Sequence, residues 1–250
     1  IKEGLLPVNM AFTSIGLTAN TTLEAFYQLQ WEKTRTDPCG TFFSTIDFVA
    51  DGCGPVLLSH SEDEITGNFY NLSIVPRMSD DEPKDDGQFG LALRTYTDLL
   101  GGAEFGVYYM NIHSRMPYIS GEALVDPRSG VDFNESRLQY QIAYPEDIQI
   151  MGVSIATSLP NGASFSGEIS YKPDLPLQWN AFELIFAGVP NAQDNSRFFL
   201  QREQELGGVV NIGDKVDGFD KFDVWQAQTT YIQFFDRVFG ADQLAVVAEA

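Results

Sequence analysis

The chain has 250 residues, 44% of them hydrophobic, and carries 35 acidic against 15 basic residues for a net charge of −20. Phosphate binding needs basic patches, so that charge excludes nucleic acid as a partner and suits a protein with loops on an outer surface. No apolar run approaches the roughly 18–20 residues that a helix needs to span a bilayer; strands of about 9–11 residues with alternating polarity remain a means of crossing.

Eight segments read as strands, arranged as four pairs. The first pair is 8–17 and 22–32, turned by Thr18-Ala19-Asn20-Thr21. In its second strand Leu23, Ala25, Tyr27, Leu29 and Trp31 alternate with Glu24, Phe26, Gln28, Gln30 and Glu32, a period-2 pattern that separates two faces. The second pair is 89–97 and 104–114, turned by 98–103 with Gly101-Gly102. The third is 148–158 and 163–172 around Pro160-Asn161-Gly162, a strong hairpin signal because Asn-Gly tolerates positive φ. Here Phe165, Gly167, Ile169 and Tyr171 alternate with Ser164, Ser166, Glu168, Ser170 and Lys172. The fourth pair is 222–234 and 243–249, with Trp225, Ala227, Thr229 and Tyr231 on one face.

The connections between pairs are long, about 34–88, 115–147 and 173–221, and alternate strictly with the short turns. Nothing requires a soluble sandwich to alternate in this way, and most loops of compact domains are short. Outer-membrane barrels are built so, with short periplasmic turns and long extracellular loops. The expected fold is all-β: part of an antiparallel up-and-down transmembrane β-barrel, a single unit over 1–250. Aromatics near strand ends (Trp31, Tyr96, Tyr171, Trp225) would fall at interface girdles, although β-propensity alone also favours them there.

Polar residues on the inward face of the cleanest strands are the candidate lumen lining: Glu24, Gln28, Gln30, Glu32, Ser166, Glu168 and Lys172. They would either tune what passes or close the lumen with a hydrogen-bonded network. In the first long loop Cys39 and Cys53 sit beside Gly and Pro, and one disulfide in an oxidising compartment is the simplest reading. The same loop is acidic, and Asp80, Asp81, Glu82, Asp85 and Asp86 offer hard oxygens that suit Ca²⁺, although the spacing is not that of an EF-hand and a solvated face is the plainer reading. In the third long loop Asn180 can cap a short helix ended by Gly188 and Pro190. Trp179, Phe182, Ile185 and Phe186 would then touch an apolar solute, or pack the loop onto the rim. His60 and His113 are the only histidines, and no nucleophile elbow, P-loop, dinucleotide fingerprint or HExxH is present, so no catalytic residue and no cofactor are expected and the chain reads as no enzyme.

No signal peptide is visible, the chain opens on Ile1-Lys2-Glu3-Gly4, and it ends on Ala250 without a terminal aromatic; it reads as an internal piece of a longer protein.

Several stretches resemble a large proteobacterial family, the domain of unknown function 1302. They are Leu23 to Thr34, Asp37-Pro38-Cys39-Gly40-Thr41, Glu82 to Gly90, Phe105 to Arg115, Tyr144-Pro145-Glu146-Asp147-Ile148 and Gly240-Ala241-Asp242-Gln243-Leu244. The resemblance runs nearly end to end. It implies a bacterial outer-membrane barrel that moves lipids, hydrocarbons or sterol-like molecules, in contact with outer-membrane lipid and lipopolysaccharide and working with periplasmic transport components. It carries over no catalytic or binding residue. Two other readings stand beside it. One is a structural or docking barrel whose acidic loops bind cations or lipopolysaccharide. The other is a secreted soluble β-protein that binds or hydrolyses carbohydrate. A transport barrel for apolar solutes predicts an apolar path through the lumen, a docking barrel a lumen filled with polar side chains, and the soluble protein stability without detergent.

Overall fold

The computed structural model describes residues 6–57, 74–98, 101–123, 138–187, 201–202, 204–205 and 211–250; for 185–187 the backbone alone is described. In chain order the first strands are β1 (Met10–Gly16), β2 (Thr21–Gln28), β3 (Val56–Leu57), β4 (Ile74–Val75), β5 (Phe89–Thr97), β6 (Ala103–Ile112) and β7 (Tyr118–Ala123). Then come β8 (Leu138–Ala143), β9 (Ile148–Ser158), β10 (Ser164–Gln178), the helix α1 (Ala181–Ala187), β11 (Lys215–Val216), β12 (Phe219–Asp236) and β13 (Gln243–Glu249).

The fold is all-β and antiparallel. Eight strands form one sheet in the order β1-β2-β5-β6-β9-β10-β12-β13, each paired antiparallel with the next. The four expected hairpins are its four consecutive pairs. Their turns follow from local chemistry: Gly101, Gly102 and Gly162 all sit at positive φ, which costs glycine nothing. Among the described residues β1 and β13 do not pair, so the sheet is an open meander rather than a closed barrel.

Several boundaries differ from the sequence reading. The alternation predicts a strand to Glu32, but β2 ends at Gln28. The Trp31 amide donates to the Asp85 carboxylate at 2.8 Å and its indole N–H to the Ser114 carbonyl at 3.1 Å, so the chain leaves the sheet and Trp31 is buried rather than at an interface girdle. Gln30 and Glu32 therefore lie beyond the strand that was expected to carry them. β10 runs on to Gln178 through Pro173 and Pro176; an irregularity between Lys172 and Leu175 absorbs Pro173, and Pro176 stands in register opposite Lys221. The long connections are not bare loops either. They contribute a three-stranded sheet, β11-β7-β8, and a two-stranded one, β3-β4.

These loop elements hold the hydrophobic core. Ile119, Ala123, Leu138, Tyr140, Ile142, Leu184 and Val216 pack together with Trp31, Val75 and Tyr144, and the Trp31 and Tyr144 rings meet edge-on at 4.9 Å. None of this cluster lies on the eight-stranded sheet, whose apolar face is left uncovered. A sheet in water must bury one face against another layer. The loop elements thus form a cap at the end of the sheet opposite the short turns.

Two titrating groups bind the cap. Burial pushes the Tyr144 phenol up to about 12. Burial opposes the charge on Lys33, but hydrogen bonds to Asp51, Glu82 and Asp80 outweigh it and raise its pKa. Both groups hold their protons more tightly when folded. Their contribution is complete below about pH 10 and declines as pH rises above that value. The cap should therefore loosen between about pH 10 and 12, by roughly 2 kcal/mol from Tyr144. Amide exchange in the cap, followed against pH, checks this, and Tyr144→Phe should flatten the response.

Candidate functional site

The register sorts the large sheet into two unlike faces. One carries the row Ile15, Leu23, Leu93, Val107, Val153, Ile169 and Ala227, each residue directly opposite the next. The neighbouring row on the cap side is Ala25, Leu91, Tyr109, Met151, Tyr171 and Trp225. Tyr171 stacks on Trp225 at 4.5 Å. Towards the short turns, Phe105 on β6, Phe165 on β10 and Tyr231 on β12 come to the same face. Aromatics thus bracket an aliphatic band on these three strands. The face is open, with Val107 57% and Trp225 69% exposed. Tyr96 does not join it. It pairs with Glu104 on the opposite face.

That opposite face is polar and built of small residues. Its rows read Glu24, Ala92, Tyr108, Gly152, Ser170, Gln226, then Thr22, Arg94, Gly106, Ser154, Glu168, Gln228, then Tyr96, Glu104, Ala156, Ser166, Thr230. Arg94 bridges Glu24 at 3.1 Å and Glu104 at 3.3 Å. Lys172 donates to Gln226 at 3.1 Å, and Tyr108 and Glu168 line one hollow with them. Of the seven predicted lining residues, Glu24, Ser166, Glu168 and Lys172 share this face. Gln28, the last residue of β2, is buried and donates to the Gln30 carbonyl, while Gln30 donates to Glu32. Arg94, Glu104 and Tyr108 belong to the same face. They were missed because β5 and β6 alternate less cleanly than β2 and β10.

Glycines let rings lie flat on this wall. A Cβ on Gly152 would come within 2.2 Å of the Tyr108 hydroxyl, and one on Gly90 within 2.3 Å of the Phe26 ring. Each ring covers the glycine of the next strand instead of projecting from the sheet. Hollows remain above the wall. One of about 450 Å³ is lined by Arg94, Tyr108, Ser154, Glu168 and Lys172, and one of about 440 Å³ by Tyr96, Glu104, Ser166 and Thr230.

Lys33 and Arg77 tie the disulfide-bearing loop to the acidic run, and one crosslink closes that loop. Cys39 and Cys53 form the expected disulfide, with Cα atoms 6.2 Å apart. Arg77 donates to the carbonyls of Phe48, Ala50 and Cys53 and pairs with Asp80 at 2.8 Å. Lys33 pairs with Asp51, Asp80 and Glu82 at 2.8–3.1 Å. The candidate Ca²⁺ ligands are drawn to separate partners: Asp80 and Glu82 to these cations, Asp81 to Lys215 and Asp85 to the Trp31 amide. The Asp86 carbonyl accepts from His113. Among the described residues no three metal-binding side chains come together.

His113 is buried, and both ring nitrogens are occupied: Nδ1 accepts from the Asp147 amide and Nε2 donates to the Asp86 carbonyl. The Ser114 hydroxyl donates to the Met116 carbonyl. In the third loop the Asn180 side chain accepts from the Phe182 amide at 2.9 Å, the cap expected for α1. Trp179 packs against the core and donates to Asp220 at 2.7 Å, while Phe182 is exposed. The side chains of Ile185 and Phe186 lie outside the described residues.

These features define an all-β protein: one antiparallel meander with an uncovered apolar face, a polar face and a loop-built cap. The chain belongs to the family described as protein of unknown function (DUF1302), whose model matches residues 1–250. No curated protein and no solved structure matches it.

Proposed function

We propose that the chain spans a bacterial outer membrane as all or part of a β-barrel, with its apolar face to lipid and its polar face to an aqueous interior, and that it admits hydrophobic compounds. The observation that carries the reading is the open row from Ile15 to Ala227 backed by charged and hydroxyl side chains on the reverse face. Water disfavours that arrangement, by about 25 cal/mol per Å² of exposed apolar surface, and a bilayer favours it. In this reading lipid and lipopolysaccharide surround the sheet, and periplasmic transport components meet the short turns. It involves no catalytic step.

The polar face favours a second reading. An interior lined by Glu24, Arg94 and Glu104 offers no apolar path along these strands, as a structural or docking barrel would have it. Against a filled interior stand the glycine-backed rings and the hollows beside them. Cell fractionation with heated and unheated gel samples of the full-length protein tests the membrane location. A heat-modifiable outer-membrane band supports it, and a soluble periplasmic or secreted protein overturns it. Uptake of alkanes and fatty acids by cells with and without the protein then separates passage from docking.

Gly152→Val probes the interior directly. The new side chain collides with Tyr108 and should swing that ring away from the wall. Conductance in planar bilayers is expected to fall severalfold, and adding Tyr108→Ala should restore it. Unchanged conductance would exclude a route past Gly152.

A further inference from the structure

The cap contains a cavity of about 460 Å³ that the network above does not use. It lies between the disulfide-bearing loop, the start of β7, the end of β10 and α1. Its apolar lining is Phe43, Ile46, Val49, Pro117, Ile119 and Ala181. Thr34, Thr36 and Thr45 line it too, with Arg35 and Asp37 supplying one charge of each sign. Gln178 also lines it, but its amide is spent on the Ile119 backbone and the Gly218 carbonyl. The lining residue Phe43 meets its neighbour Phe42 edge-on at 5.2 Å, and the two rings are 77% and 94% exposed. Two adjacent rings held open to solvent in a disulfide-closed loop are unusual unless something covers them.

We propose that this cavity binds an apolar molecule with one uncharged polar end, a hydroxyl or carbonyl group. The volume falls in the range of small-ligand sites, and the lining is mostly apolar with a few polar groups. The threonine hydroxyls can donate to or accept from such a head. The lining is neutral as a whole, and the surrounding chain is strongly acidic at −20, so an anionic head gains no long-range attraction. A cationic head would meet the lone Arg35 beside Asp37 and be drawn to the protein surface at large rather than to this site. The Phe43 ring would contact the apolar tail.

The role of the site in uptake rests on the transport reading; the site itself does not. The test is titration of the whole protein, held in amphipol, with dodecanol, dodecanoate and dodecylamine. Dodecanol is expected to bind saturably and about tenfold tighter than dodecanoate. Ile46→Ser and Phe43→Ser, both at exposed positions, should each weaken it severalfold, and the double variant Thr34→Val, Thr36→Val should erase the preference for the alcohol. Tighter dodecanoate binding that disappears in Arg35→Gln overturns the proposal, as does dodecanol binding that is indifferent to Ile46 and Phe43. Saturable dodecanol binding in a protein whose loss leaves cellular uptake unchanged supports the site and overturns only the transport reading.

Discussion

Val153→Lys is expected to cost about 2–4 kcal/mol of stability in lipid, the penalty for a lysine near the midplane of a membrane barrel. Val153 sits in the middle of the aliphatic row, between Val107 and Ile169, and half its surface is open. Its neighbour Ser154 points to the polar face, between Gly106 and Glu168. Ser154→Lys should therefore fold almost as well as the parent, since an ammonium there meets Glu168 and water. Urea titrations of protein refolded into vesicles measure both. In a water-soluble protein the order would reverse: lysine on an exposed valine is harmless or helpful. Equal stability of Val153→Lys and the parent would contradict the lipid-facing assignment.

Arg77→Ala is expected to have the next largest effect, confined to the cap. One guanidinium serves the carbonyls of Phe48, Ala50 and Cys53 and the carboxylate of Asp80, whose side chain is only 12% exposed. Removing it leaves three acceptors without that donor and one nearly buried carboxylate with Lys33 as its remaining cation. Losing one partner of such a pair costs about 3–5 kcal/mol. Arg77→Lys should recover little, because an ammonium cannot reach the same spread of acceptors as the planar fork. Limited proteolysis after reduction of Cys39–Cys53 would show the cap of the alanine variant cut far faster, with the eight-stranded sheet intact. Cleavage at the parental rate would contradict the role given to Arg77.

What was legible in the sequence was local. Hairpins announce themselves through turn residues and period-2 alternation, and the strands 89–97, 148–158 and 243–249 have the bounds their pattern implies. The polar face was legible on β10, where alternation is clean, and on β2 at Glu24 alone. Distant partners decided the rest. β2 stops four residues short of Glu32 because Asp85, 54 positions away, takes the Trp31 amide. The acidic run near Asp80 left a cation site open beside the plainer solvated face, because Lys33, 47 positions before Asp80, gives no local sign that it pairs with Asp51, Asp80 and Glu82. The cap sheets escaped notice because β7 and β8 are only six residues long and mostly buried on both faces, so their polarity does not alternate. Trp179 shows the same limit. Its apolar setting was visible, and its bond to Asp220 was not.

The central claim is that lipid covers the face carrying Trp225, and fluorescence quenching by brominated lipid tests it most directly. Of the three tryptophans, Trp31 is buried in the cap and Trp179 is packed against it, while Trp225 stands open on the apolar face. In vesicles of brominated lipid the parent should be strongly quenched and Trp225→Phe scarcely at all. Equal quenching of the two, with Trp225 open to aqueous acrylamide, would mean that the apolar face meets something other than a membrane.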